Sequence, residues 1–292
     1  MDQENFEYLK DKLKYSGFED KLNTALENQI KSGAVKFTLP FQMEIEDKKV
    51  DYNLHFKKSE VSERYFYNKM DVSVQNSNPE IEGKSHSFYQ NQGVTAKEAF
   101  NLLEGRAVNK TMQNTDKEQY KAWLQLDLSQ KGNNGNFKVN QYHEKYGFDL
   151  EAKLREFPIK ELGDQTKTEW MMKSLRKGNQ YPITMEKNGM DEIMFIEASP
   201  KFKSINVFDV SFSSVKAEDL KLDNGKDKSV GQEPIVEELG KKKVMKEGVS
   251  AKTTEKKESA VQEVSKKTKV PTVAGGVPQT AKVPRTGKGK RI

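Results

Sequence analysis

The chain contains no cysteine, which excludes disulfides, thiolate metal sites and a cysteine nucleophile and suits a reducing cytoplasm. Histidine is nearly as scarce. His55, His86 and His143 are the only three, and no two of them share the short spacing of a metal-ligand pair. No window approaches the roughly 18 apolar residues that a membrane span requires. The opening residues, MDQENFEYLK, lack the basic start and apolar run of a signal peptide, so a cytoplasmic protein with no membrane attachment is expected. Aromatic residues are missing from one whole region: all 27 precede residue 213, and the last 80 residues have none. Rings and aliphatic side chains supply most of the apolar area that offsets the entropy of folding. The sequence therefore predicts a folded body over residues 1–212 and a disordered tail over 213–292.

Charge divides along the same line. The net charge of +6 conceals 19 basic and 11 acidic residues from Ser213 onward, and a body with a net of −2. From Lys241 to the end there are 15 basic and 4 acidic residues. Lys241, Lys242, Lys243, Lys246, Lys282, Arg285, Lys288, Lys290 and Arg291 are candidate nucleic-acid contacts, and 282–291 is free of acids. Thirteen of these 15 cations are lysines, point charges without the guanidinium fork that reads bases. Any contact with DNA or RNA is therefore expected to be to phosphates and insensitive to sequence. A solubilising linker is the other reading of such a tail.

Periodicity organises the body. Phe6, Leu9 and Leu13, then Leu22, Leu26 and Ile30, predict two helices closed by Gly17 and Gly33. Odd positions from Val35 to Ile45 are apolar, as on a half-buried strand, and Pro40 places that strand at an edge or a bulge. A second strand at 50–56 follows a turn at Asp47, Lys48 and Lys49, with further strands at 65–74 and 85–89. Thr95 and Glu98 form a capping box for a helix stopped by Gly105. Strands are then expected at 106–111, 120–128 and 137–142, a short helix after Asp149, and a longer one over 166–175. Strands at 181–186 and 192–197 are joined at Asn188 and Gly189, and a last strand covers 202–210. Helices mix with antiparallel hairpins without a strand–helix–strand rhythm, so the fold class is α+β, with helices packed on small meanders in one or two subdomains, 1–92 and 93–212.

No motif names a reaction. A nucleophile elbow, a phosphate-binding loop and a dinucleotide fingerprint are all absent, and no catalytic residue, metal site or cofactor is expected. Asp127 with Glu151 and Lys153 has the letters of a metal-dependent nuclease, but Glu151 follows a helix cap instead of sitting on a neighbouring strand. Trp123 runs out of phase with Leu124 and Leu126. That phase makes it the one aromatic candidate for a partner surface on an exposed strand face, although packing in the core or between sheet and helix is the favoured reading.

Three runs carry a family resemblance: VTAKEAFNLLEGRAVNK at 94–110, YGFDLEAKLREFPIKEL at 146–162 and FIEASPKFKSINVFD at 195–209, supported by NFEYLKDKLKYSGF and LHFKKSE earlier in the chain. Together these resemble a family of uncharacterised proteins from Bacteroidota, a domain of unknown function, whose members often end in a variable Lys-rich tail. Members tend to be encoded on conjugative and other mobile elements near DNA-processing genes such as topoisomerases. The resemblance implies a context of mobile DNA and carries over no activity and no site residues. The expectation is a non-enzymatic accessory protein of mobile-DNA maintenance or transfer, tethered to nucleic acid by its tail and partnered by a DNA-processing protein. Two alternatives stand beside it: a protein-interaction module with a solubilising tail, and an enzyme with an unrecognised site, such as a metal-dependent nuclease.

Overall fold

A computed structural model describes residues 2–76, 83–187 and 189–222. The described chain is α+β, with five α-helices and eleven antiparallel strands in three sheets. Each sheet is a meander of sequential neighbours. The first holds β1 (Lys36–Ile45), β2 (Lys48–Lys58), β3 (Tyr65–Val74) and β4 (Lys84–Tyr89). The second holds β5 (Val108–Gln113), β6 (Gln119–Lys131) and β7 (Phe137–His143). The third holds β8 (Tyr181–Lys187), β9 (Met190–Ser199), β10 (Ser204–Phe208) and the short β11 (Ser214–Val215).

Pro40 lies on β1, an edge strand, where its missing N–H costs no ladder bond. The β1–β2 turn is tighter than the expected Asp47–Lys48–Lys49. Ile45 pairs with Lys48, leaving a two-residue loop of Glu46 and Asp47, both at positive φ. Paired left-handed residues match the twist of a hairpin, and an aspartate tolerates that region well enough to hide the turn from a search for Asn-Gly.

Helices α1 (Gln3–Leu13), α2 (Asn23–Lys31) and α3 (Ala96–Leu103) cover the first sheet. Asp2 caps α1, and the capping box of Thr95 and Glu98 starts α3. The core between them is built of rings. Phe18 meets Phe41 and Tyr52 edge-on at 5.7 and 5.4 Å, while Phe37 stacks on Phe56 and Phe56 on Tyr67 at 4.9 and 5.0 Å. Each such pair is worth about 0.5–1.5 kcal/mol beyond the area it buries. The Asn5 amide extends β3 as if it were backbone, accepting from the Tyr65 N–H at 2.7 Å and donating to its carbonyl at 3.0 Å. Arg106, 5% exposed, reaches the hairpin tip at Glu46 and lies over the Phe100 ring.

The first core does not stop at residue 92. Phe100, Leu102 and Leu103 of α3 are buried in it together with Val108, Leu124, Leu126 and Phe137 of the second sheet. A cut at 92/93 would pass through this core. The second core lies between the third sheet and helices α4 (Leu150–Leu154) and α5 (Gln165–Arg176), and it takes Trp123 from the second sheet and Ala107 from the residue just before it. The sheet β5–β7 is therefore a wall shared by both cores.

A seam of polar contacts reinforces the wall. The buried Asn101 amide donates to the Lys177 carbonyl at 2.7 Å and to Asn179 Oδ1 at 2.9 Å. Gly178, at φ +77°, fits where a Cβ would stand 2.9 Å from the Ala107 carbonyl oxygen. Both the backbone angle and the space demand glycine there.

Packed structure continues past the expected boundary at residue 212. β11 pairs with β10, and Leu220 is buried in the second core. Loss of rings marks the end of the body too early, because Val215 and Leu220 contribute aliphatic area instead. The rest of the basic segment, residues 223–292, lies outside the described residues.

Candidate functional site

The candidate lysines and arginines of the tail, Lys241, Lys242, Lys243, Lys246, Lys282, Arg285, Lys288, Lys290 and Arg291, all lie outside the described residues. Trp123 does not sit on an exposed face. It is 7% exposed and packs edge-on against Phe148 at 5.4 Å. Alternation correctly puts it opposite Leu124, but the face it points to is covered by the second core instead of water. Trp170 is the solvent-facing tryptophan, 65% exposed on α5.

The nuclease letters do not assemble. Asp127 accepts from the Ser129 hydroxyl and N–H on its own strand, and these bonds hold its carboxyl below the usual range. Glu151 and Lys153 lie on α4, where Glu151 pairs with Arg155 and Lys153 with Glu156. Among the described residues no group of three or more His, Asp or Glu could hold a metal ion.

The outer face of the first sheet carries Ser87, Asp71 and His55 in one chain of hydrogen bonds, but in the wrong order for nucleophilic catalysis. Ser87 donates to Asp71, and His55 bonds Asp71 at 2.6 Å through Nε2 and Thr38 through Nδ1. Ser87 bonds the carboxylate directly and, among the described residues, has no histidine placed to take its proton as the Ser–His pair of an activated nucleophile requires. Burial opposes ionisation of Asp71, but bonds from Lys69, Ser87 and His55 outweigh it and hold the carboxyl low. His86 is wholly structural. It is buried beside Phe88 and Phe137, its Nδ1 accepts the Phe137 N–H at 3.1 Å, and burial pushes its pKa down to about 4.

The arrangement with binding chemistry is a cleft on the wall's second face. Antiparallel register aligns Asn109, Trp123 and Tyr142 in one cross-strand row and sets Lys121 opposite Thr111 two residues away. After β7 the chain turns through Glu144–Tyr146 and Gly147 into Phe148 and the Asp149 cap of α4, which forms one side, and α5 brings Met172 and Arg176 to another. The resulting hollow, of about 670 Å³, has a floor of Trp123, Tyr142, Phe148 and Met172. A second hollow of about 600 Å³ adjoins it at Lys121, His143 and Glu144 and includes Tyr120.

Two ring pairs meet at this region: Tyr120 with His143 at 5.1 Å, and the lining Tyr142 with Tyr146 beside it at 5.0 Å. Burial, with Tyr146 and Asp127 adding to it, raises the Tyr142 phenol, which stays neutral at physiological pH. Two of the rim carboxylates are engaged, Asp149 by the Ala152 N–H and Glu151 by Arg155. Lys121 and Arg176 are exposed and form no ion pair among the described residues. Rings beside uncommitted cations can hold a flat anionic group. Comparisons of the chain with models of protein families, with curated proteins and with solved structures find no match.

The cleft was only half visible in the sequence. Trp123 stood out by its phase on β6, but its partners Tyr142, Phe148 and Arg176 come from three later elements and meet it only through register and helix packing.

Proposed function

We propose that the protein is a cytoplasmic, non-enzymatic accessory factor of mobile-DNA maintenance or transfer that holds nucleic acid through its basic C-terminal segment. The observation that carries this reading is the charge segregation, a body with a net of −2 against +11 over residues 241–292. A cationic segment of that density releases counterions from phosphate and binds without sequence preference. The mobile-DNA setting rests on the family resemblance, and a DNA-processing protein is the natural partner in that setting.

The test compares the full chain with one lacking residues 241–292. Every core position among the described residues lies at or before Leu220, so the shortened chain keeps both described cores. With about six phosphates contacted, log K for duplex DNA is expected to fall with log salt at a slope of roughly −5. The shortened chain is expected to lose that binding, and equal binding by both chains would refute the reading.

One observation favours protein interaction as a second reading. On the outward face of the third sheet, Pro182, Phe195 and Phe208 align across three strands, and the half-exposed Phe212 ring packs on Phe195 at 4.6 Å. Retention of a partner in high salt after nuclease treatment, without a DNA shift, would decide for it.

A further inference from the structure

We propose that the cleft over Trp123 binds an unpaired nucleobase with its attached phosphate, and so takes up single-stranded DNA on the body itself. The inference rests on the reading that this protein engages nucleic acid, and adds a second site of different chemistry from the basic segment.

Three features define the ligand. First, three of the four floor residues, Trp123, Tyr142 and Phe148, are flat rings, and ring faces take any base at about 1–3 kcal/mol per stacked base. The usable faces belong to the half-buried Tyr120, Tyr142 and Phe148, with Trp123 as the backing beneath them. Second, the two hollows, of about 670 and 600 Å³, each fall within the roughly 300–1,000 Å³ of small-molecule sites and share a border. Adjacent hollows of this size suit two successive nucleotides. Third, Lys121 stands on that border and Arg176 on the far rim, both without a carboxylate partner among the described residues, so each can meet a phosphate.

The acids at the site restrict the pose. Asp149 and Glu151 are already bonded within α4, while Glu144 stands between the hollows and repels a phosphate placed against it. Phosphates are thereby directed to Lys121 and Arg176. A duplex keeps its bases stacked and paired and cannot offer a free face, so the site discriminates strands by unstacking rather than by sequence.

The same chemistry could come from a free nucleotide, and the experiment separates the two sources. In the full chain carrying Trp170→Phe, Trp123 is the sole tryptophan and its emission reports on the cleft. Titrations use a ten-residue oligothymidylate, thymidine monophosphate at equal nucleotide concentration, and a short duplex, in about 0.3 M salt, where the basic segment's contacts are weakened. Saturable quenching by the oligonucleotide, absent with the duplex, is the expected result. Lys121→Ala together with Arg176→Ala is expected to weaken it at least tenfold, since each replaces an exposed cation and leaves both cores intact.

Quenching by the mononucleotide alone would overturn uptake of a strand. No quenching by either ligand, or undiminished affinity in the double variant, would overturn the site. Salt-dependent duplex binding by residues 241–292 is measured separately on the same double variant and is expected to be unchanged. Failure of the cleft and failure of the tether are therefore read from different signals.

Discussion

The first core is packed with rings and the second with methionines. Phe18, Phe37, Tyr52, Phe56 and Tyr67 fix each other's orientation under the first sheet, whereas Met171, Met172, Met185 and Met194 fill the space between α5 and the third sheet. Rings are stiff and demand particular geometries, while an unbranched thioether adapts to irregular gaps. The difference places a rigid support on one side of the shared wall and a compliant one on the other. Met172 belongs to the compliant side and also lines the cleft, so the binding surface is backed by the part of the molecule most able to adjust.

The most damaging way to break this contrast is to cut one ring and one methionine and compare. Phe18→Ala removes a fully buried ring that makes two edge-on contacts and is expected to cost about 3–5 kcal/mol. Met171→Ala, at an equally buried position, is expected to cost less, about 2–3 kcal/mol, because neighbouring thioethers can move into the space. Urea unfolding of both variants measures the pair, and equal losses would mean that the two cores are packed to the same tolerance.

Acid at His86, beside the first core, gives the next largest expected effect. His86 is held neutral, with its folded pKa near 4 against an ordinary 6.5. The unfolded chain therefore binds a proton that the folded chain refuses between those values. Stability from this site is complete above about pH 6.5 and is lost as pH falls toward 4, by up to about 3 kcal/mol. The gap in unfolding free energy between the wild type and His86→Gln, measured at pH 7 and pH 4, should shift by that amount in favour of the variant at low pH. A gap independent of pH would show that the ring protonates in place.

The seam provides the smallest of the three effects. Gly178→Ala places a Cβ against the Ala107 carbonyl at a left-handed backbone angle, with an expected loss of about 2 kcal/mol. If the cores unfold as one unit, fluorescence and circular dichroism transitions of this variant should coincide. If the seam is all that couples them, the variant should show two transitions, with the methionine-rich side melting first.

Local rules reached much of this fold. Amphipathic spacing located α1 and α2, caps located α3 and α4, and alternation located most strands, because each of these signals is contained in neighbouring residues. Failures occurred where a residue's surroundings come from distant chain. Trp123 was kept as a surface candidate beside the favoured core reading because alternation names a face without saying what covers it, and the covering helices lie between residues 150 and 176. The turn of Glu46 and Asp47 lacked a glycine to announce it. The end of the body was read at residue 212 because rings stop there, though Leu220 still packs. Of the cleft, only Trp123 had a local signal, and Lys121 and Arg176 looked like any other surface cations.

A strand that serves two cores also has an arithmetic that a one-sided strand escapes. On β6, Trp123 and Leu124 face opposite ways into different neighbours, and both are buried. A single inserted or deleted residue ahead of them would send an indole into the space of a leucine and a leucine into the space of an indole, at once and in both directions. Length changes at the exposed 114–118 turn that preserve the Thr111 to Lys121 pairing would leave every tenant in place. The wall thus acts as a parity check on the chain, passing only those length changes that keep this pairing.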